Sequence, residues 1–152
     1  MQLNVQTNYA LRIVLYIAEQ RRVVSSTELS AAMAIPQGLS RAIGRTLMTA
    51  GLLTARRGQT GGFALARSPD EISVADIVRA METVCVSRCL EPDRFCSRGA
   101  ADTCPVRAFF AQVQGQLDAA LAGKTVASLL GDARRPFIKP PENTAQKVAI
   151  YR

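Results

Sequence analysis

The chain has 152 residues, 48% of them apolar, which is enough for one packed domain with an extra helix or tail. Its net charge is +7 and its isoelectric point is near 9.8, which points to an anionic partner. It has no histidine and no tryptophan, so the commonest general base and the commonest nitrogen ligand for metals are both missing.

The first apolar run, "YALRIVLYIA" (Tyr9–Ala18), is interrupted by Arg12 and followed by Arg21 and Arg22. It is far shorter than the roughly 20 residues that span a bilayer. No charged segment precedes it and no small-residue cleavage site follows, so it reads as a buried amphipathic helix of a cytoplasmic protein, with no membrane partner. The spacing of Tyr9, Ile13 and Ile17 predicts helix over Thr7–Arg22. "SSTELSAAM" opens a second helix, with Ser25 and Glu28 as a capping box. "IPQGLSRAIGRTLMTAG" gives a third, Pro36–Thr49, with Pro36 in its first turn and Gly51 just past its end. Leu39, Ile43 and Leu47 form its apolar stripe, and Gln37, Ser40, Arg41, Gly44 and Arg45 fall elsewhere on its surface. Two helices joined by a short turn, the second showing Gln, Ser and Arg, are the pattern of a helix-turn-helix.

"LLTARRGQTGGFALAR" follows as two short strands around a glycine-rich turn. Arg56 and Arg57 lead into that turn, and Gly58, Gly61 and Gly62 permit positive φ and close backbone approach. A basic hairpin directly after a recognition-type helix makes a wing suited to phosphates or a minor groove. "GQTGG" is not a phosphate-binding P-loop, because no G-K-[ST] follows. Up to Arg67 there are eight arginines, no lysine and two acids; from Ser68 onward eleven basic residues meet ten acids. The anion-binding charge therefore lies in the first half and is all arginine, whose planar fork suits phosphate and guanine edges.

"SPDEISVADIVRAMETV" predicts a turn and a fourth helix, with Ser73 and Asp76 as its capping signal. Beyond an irregular loop, Pro105 starts a long helix whose stripe of Val106, Phe109, Phe110, Val113, Leu117 and Leu121 is too extensive for so small a domain to cover. That predicts a homodimer packed through this helix. A last short helix is expected over Thr125–Leu130, then a polar, Pro-containing tail. The fold class is mainly α with a small β-hairpin wing: a winged helix-turn-helix over residues 1–83, a cysteine loop over 84–104, a dimerisation helix region over 105–131 and a tail over 132–152.

All four cysteines, Cys85, Cys89, Cys96 and Cys104, lie in that loop, within twenty residues. In a reducing compartment, clustered cysteines serve metal or redox chemistry more often than structural disulfides. Thiolates hold iron–sulfur clusters or zinc, and Arg88, Arg94, Arg98 and Arg107 favour thiolate, offset in part by Glu91, Asp93 and Asp102. Four thiolates could form a zinc site, although no C-x2-C knuckle occurs; two of the four could instead form a switching disulfide, or all four could be unligated. An enzyme is disfavoured, since histidine, C-x-x-C and nucleotide-binding motifs are all missing.

Taken together, "MQLNVQTNYALR", "GLLTARRGQTGGFALAR", "ISVADIVRAME" and the spaced cysteines before a long helix resemble the Rrf-two-type winged-helix transcriptional regulators, the IscR-, NsrR- and RirA-like proteins. The resemblance covers roughly residues 1–130. It implies a homodimeric regulator, most often a repressor, that binds a partly palindromic double-stranded operator. Its DNA affinity would be controlled by a two-iron or four-iron iron–sulfur cluster that senses iron or cluster status, nitric oxide or redox stress. Carried over residue by residue, the cluster ligands are Cys89, Cys96 and Cys104, spaced C-x6-C-x7-C. The histidine that IscR-like members use as fourth ligand has no counterpart, and the acidic position near the N-terminus of NsrR-like members is matched by Asn8. The fourth site thus falls to Cys85, to the Asn8 region, to water or a small thiol, or to nothing. The DNA-reading helix maps to Pro36–Thr49 and the wing arginine to Arg57. Gln37, Ser40 and Arg41 are expected at base edges, Arg45, Arg56 and Arg57 at phosphates or the minor groove, and Gly38, Gly58, Gly61 and Gly62 among the DNA-binding positions.

Overall fold

The computed structural model describes residues 2–93 and 95–132. Helix α1 runs over Val5–Gln20, because the Asn4 side chain accepts the Gln6 N–H and starts the helix two residues before the apolar pattern does. It ends at Arg21, whose N–H still bonds the Ile17 carbonyl and whose left-handed backbone (φ 52°) then turns the chain out of the helix. Ala10, Ile13, Val14, Ile17 and Ala18 bury one face, so the core stripe is wider than the expected one and Tyr9 lies at its margin.

Helix α2 spans Ser26–Met33 and is capped by the Ser25 hydroxyl, which accepts the Glu28 N–H at 3.1 Å. The expected reciprocal bond does not form. Glu28 instead accepts from the Arg22 guanidinium at 2.6 Å and from the Tyr16 hydroxyl at 3.0 Å, and the Arg22 guanidinium holds its carboxyl below the usual carboxylate range. Helix α3, Gln37–Thr49, begins after Pro36, which sits just before the first turn rather than in it. Gly51, at φ 72°, carries the chain out of it.

Strands β1 (Leu53–Arg56) and β2 (Gly62–Leu65) pair antiparallel, with Leu53 opposite Leu65 and Arg56 opposite Gly62. The hairpin is also joined to the body. Val24, between α1 and α2, exchanges two backbone hydrogen bonds with Phe63, at 2.8 and 2.9 Å. That approach is why residue 62 is glycine: a Cβ there would lie 2.2 Å from the Val24 carbonyl oxygen.

A short 3-10 turn, Pro69–Glu71, leads to α4 (Val74–Met81), where the predicted Ser73–Asp76 capping box closes in both directions at 3.0 and 3.1 Å. The cysteine segment follows, irregular except for a 3-10 turn at Arg88–Leu90. Helix α5 covers Pro105–Ala122 and buries none of its residues. The chain then returns: Val126 N–H bonds the Ile72 carbonyl, and α6 (Val126–Asp132) packs on α1 with Val126 fully buried. The core therefore lies between α1, α2, α3, α4, the hairpin and α6, and α5 stands largely outside it. Beyond Asp132, the expected tail lies outside the described residues. Among the described residues no helix is long and apolar enough to cross a membrane.

Candidate nucleic-acid interface and cysteine loop

The buried face of α3 contains Ser40, Ile43, Gly44 and Leu47. Two residues read as surface positions are therefore interior. Ser40 is 0% exposed, and its hydroxyl is directed at the Ser26 carbonyl (3.0 Å) and the Gln37 carbonyl (2.9 Å), so it joins α3 to α2 and is withdrawn from the base-edge set. Gly44 lies under the Phe63 ring, where a Cβ would come within 2.5 Å of the ring carbons. The opposite face of α3 is open: Gly38, Arg41 and Arg45 are exposed and Gln37 is half-exposed.

Arg56 and Arg57 are exposed at the hairpin tip beside Gly58, whose φ of 109° closes the turn. Gly61 and Gly62 have backbone reasons for being glycine: a Cβ on Gly61 would lie 2.4 Å from the Arg56 carbonyl oxygen, and Gly62 faces Val24. They shape the wing rather than present a group. Among the described residues, Arg41, Arg45, Arg56 and Arg57 form no ion pair, whereas Arg22 and Arg88 each bind carboxylates. Because Phe63 sits on Gly44 and β2 on Val24, the arginines of α3 and those of the wing belong to one rigid body.

Two contacts at the start of α2 were not legible as site features. The Gln37 amide donates to the Thr27 hydroxyl at 2.6 Å, and Arg41 Nε donates to the Ser26 hydroxyl at 3.3 Å. Ser26 and Thr27 read as helix-start residues, and nothing in that signal names a partner ten or fifteen residues away.

The four cysteines are all half-buried and in no disulfide. Cys85 sits between Val84 and Val86, whose backbones are both held by Gln114 of α5: Val86 N–H donates to Oε1 at 2.8 Å, and Nε2 donates to the Val84 carbonyl at 3.1 Å. A cleft of about 380 Å³ opens there between α4, the loop and α5. Cys89 lies in the 3-10 turn, its sulfur 3.3 Å from the Ser87 hydroxyl and its carbonyl bonded by Arg107 Nε at 3.2 Å. Cys96 opens a turn closed by Gly99, and the backbone N–H groups of Ala100, then Arg98, push its thiol below the usual value. Cys104 is the residue before α5. Asn8 is exposed on α1, whose first turn is fastened to the root of the loop by Glu82, which accepts the Asn4 N–H at 2.9 Å and the Thr7 hydroxyl. The sulfurs do not converge: among the described residues no three Cys, Asp or Glu side chains come together to hold a metal ion.

Residues 3–132 match the Rrf2 family, described as iron-dependent transcriptional regulators. This chain belongs to the Rrf2 family. Protein aau3 of Rhizobium meliloti (strain 1021) is 32% identical over 124 residues, covering 76% of this chain and 80% of that one. Among solved structures, the fold is similar to T. potens IscR, with a TM-score of 0.70 and 22% identity over 88% of this chain and 89% of the other. It is also similar to CymR, named the global cysteine regulator of B. subtilis, with a TM-score of 0.69 and 21% identity over 88% and 98%. These likenesses bear out the winged-helix architecture. As an Rrf2 protein the chain is a DNA-binding transcriptional regulator and not an enzyme.

Proposed function

We propose that this Rrf2 regulator acts as a homodimer that places two α3 helices in successive major grooves of a partly palindromic operator, with half-sites ~34 Å apart or a multiple of that, and represses transcription there. One observation carries the reading: Arg41, Arg45, Arg56 and Arg57 are exposed, not ion-paired among the described residues, and fixed to a single body by the Gly44–Phe63 and Val24–Phe63 contacts. Arg45, Arg56 and Arg57 take phosphates or the minor groove; Gln37 and Arg41 face base edges, with Gly38 leaving room between backbone and bases.

The cysteine loop is the control element. It lies between the DNA-binding body and α5, anchored to α5 by Gln114 and Arg107, and its root is tied to α1 by Glu82. Its donor chemistry suits an iron–sulfur cluster: free thiols, with backbone amides around Cys96 that stabilise a thiolate. Cys89, Cys96 and Cys104 would hold the group, with Cys85 or the Asn8 region as candidates for the fourth position. When bound, it would cross-link the loop and make its closure sensitive to iron supply and oxidants. Drawing Cys89, Cys96 and Cys104 together would reshape the loop, and the Gln114 and Arg107 contacts would pass that change to α5. The four free thiols also support a second reading, in which two of them close a disulfide, giving up two electrons and two protons to an oxidant such as peroxide.

Anaerobic purification separates the two readings. Under the first, the protein is coloured, contains iron and acid-labile sulfide, and loses the colour in Cys89→Ala, Cys96→Ala and Cys104→Ala. A protein that stays colourless after reconstitution with iron and sulfide overturns the cluster, and DNA binding that responds to peroxide in that protein supports the disulfide.

A further inference from the structure

The contacts at the start of α2 bear on which base this protein reads. Gln37 is the first residue of α3, the end of a recognition helix that meets base edges. Its amide has one carbonyl oxygen and two N–H groups. One N–H donates to the Thr27 hydroxyl at 2.6 Å. The carbonyl and the second N–H remain, an acceptor and a donor side by side. That pair matches the N6 donor and N7 acceptor that adenine shows in the major groove; guanine shows two acceptors there, and one end of the amide would oppose it.

The support for Thr27 is itself fixed. Buried Ser40 directs its hydroxyl at the Ser26 carbonyl at 3.0 Å, which ties the first turn of α2 to α3. One turn further along α3 the arrangement repeats, with Arg41 Nε on the Ser26 hydroxyl at 3.3 Å. Both side chains that face bases are thus oriented by a hydroxyl of α2 before DNA arrives. Thr27 itself is exposed and has no place in the core.

We infer that Thr27 is a specificity-determining positioning residue, which holds the Gln37 amide in the orientation that selects adenine in each half-site. The inference rests on the reading of α3 as the DNA-reading helix, and the test separates the two.

The test is selection from a random-sequence duplex DNA library by the full chain and its variants, with base frequencies compared position by position. The wild type should favour adenine at one position per half-site by about 5- to 150-fold, and Gln37→Ala should flatten that position. Thr27→Val, which keeps the shape and removes the hydroxyl, should reduce the same preference by about two- to tenfold and leave the other positions unchanged. Thr27→Ser should restore it, which a packing role of the threonine methyl would not do. Guanine at that position, a full preference in Thr27→Val, an equal loss at every position, or no rescue by Thr27→Ser would each overturn the assignment. If the wild type enriches no sequence at all, the reading of α3 falls and takes this inference with it. If it enriches sequences that Gln37→Ala reads equally well, the inference alone falls.

Discussion

Arg57 stands at the exposed tip of the wing, with no carboxylate partner among the described residues and no burial to support, so its charge is available to DNA. If it neutralises one phosphate, Arg57→Ala should weaken operator binding and make the log–log salt dependence shallower by about 0.9. Titrations at several salt concentrations check this, and an unchanged slope would remove Arg57 from the phosphate contacts. Single residues were also where sequence reading stopped short. Arginines and turn glycines announce themselves, because charge and backbone freedom are properties of the residue type. Ser40 does not: the same hydroxyl that suits a base edge also suits a buried carbonyl, and only the proximity of Ser26, fourteen residues away in sequence, decides between them. Gln114 was missed for a similar reason. A glutamine between apolar positions looks like a solvated interruption until the chain folds Val84 and Val86 against it.

The elements were largely legible, because their periods and caps are local. All five predicted helix starts after α1 lie within about a residue of the observed ones, and the Ser73–Asp76 box formed as expected. The Ser25–Glu28 box was half right, since Arg22, through its charge, and the Tyr16 hydroxyl take the same carboxylate. At α4, the backbone N–H of Ser73 holds the Asp76 carboxyl below the usual range. In the unfolded chain that carboxyl returns to about 3.9. Its stabilisation is therefore complete above that value and is lost as pH falls through the lower folded one. Asp76→Asn keeps the acceptor and removes the charge, so at neutral pH it should cost about 0.3–1 kcal/mol. Urea unfolding of both proteins along an acid series should show the gap closing, and a gap that persists in acid would place the effect elsewhere. The joint between wing and recognition helix tests differently. Gly44→Ala puts a methyl within 2.5–2.9 Å of three Phe63 ring carbons, and the Phe63 backbone is bonded to that of Val24. Overpacking of that kind costs about 1–3 kcal/mol, offset by up to about 1 from better helix propensity. Gly38→Ala meets nothing within 4 Å and should stabilise instead, so denaturant midpoints should move in opposite directions.

At the scale of the molecule, the arginine-rich first half forms the body that carries α3 and the wing, and the second half supplies the loop and a helix that this body does not cover. Helix α5 has no buried residue, and at its start Val106 is 58% and Phe109 60% exposed, with the two rings of Phe109 and Phe110 5.6 Å apart. Phe110, Val113, Leu117 and Leu121 are half-buried, so the stripe meets the rest of its own chain only partly. An apolar surface of this kind on a soluble helix needs a partner, and a second copy of α5 brings the same stripe in a self-complementary arrangement. Phe109→Glu would place a charge near the start of the proposed contact, where its desolvation is costly. The variant should keep the helical content of the wild type, elute as a monomer where the wild type elutes as a dimer, and lose most of its affinity for a two-half-site operator while keeping its affinity for a single half-site, since linkage of the two heads is what raises the former. Sedimentation of both proteins decides the point, and a variant that remains dimeric would move the interface away from this end of α5.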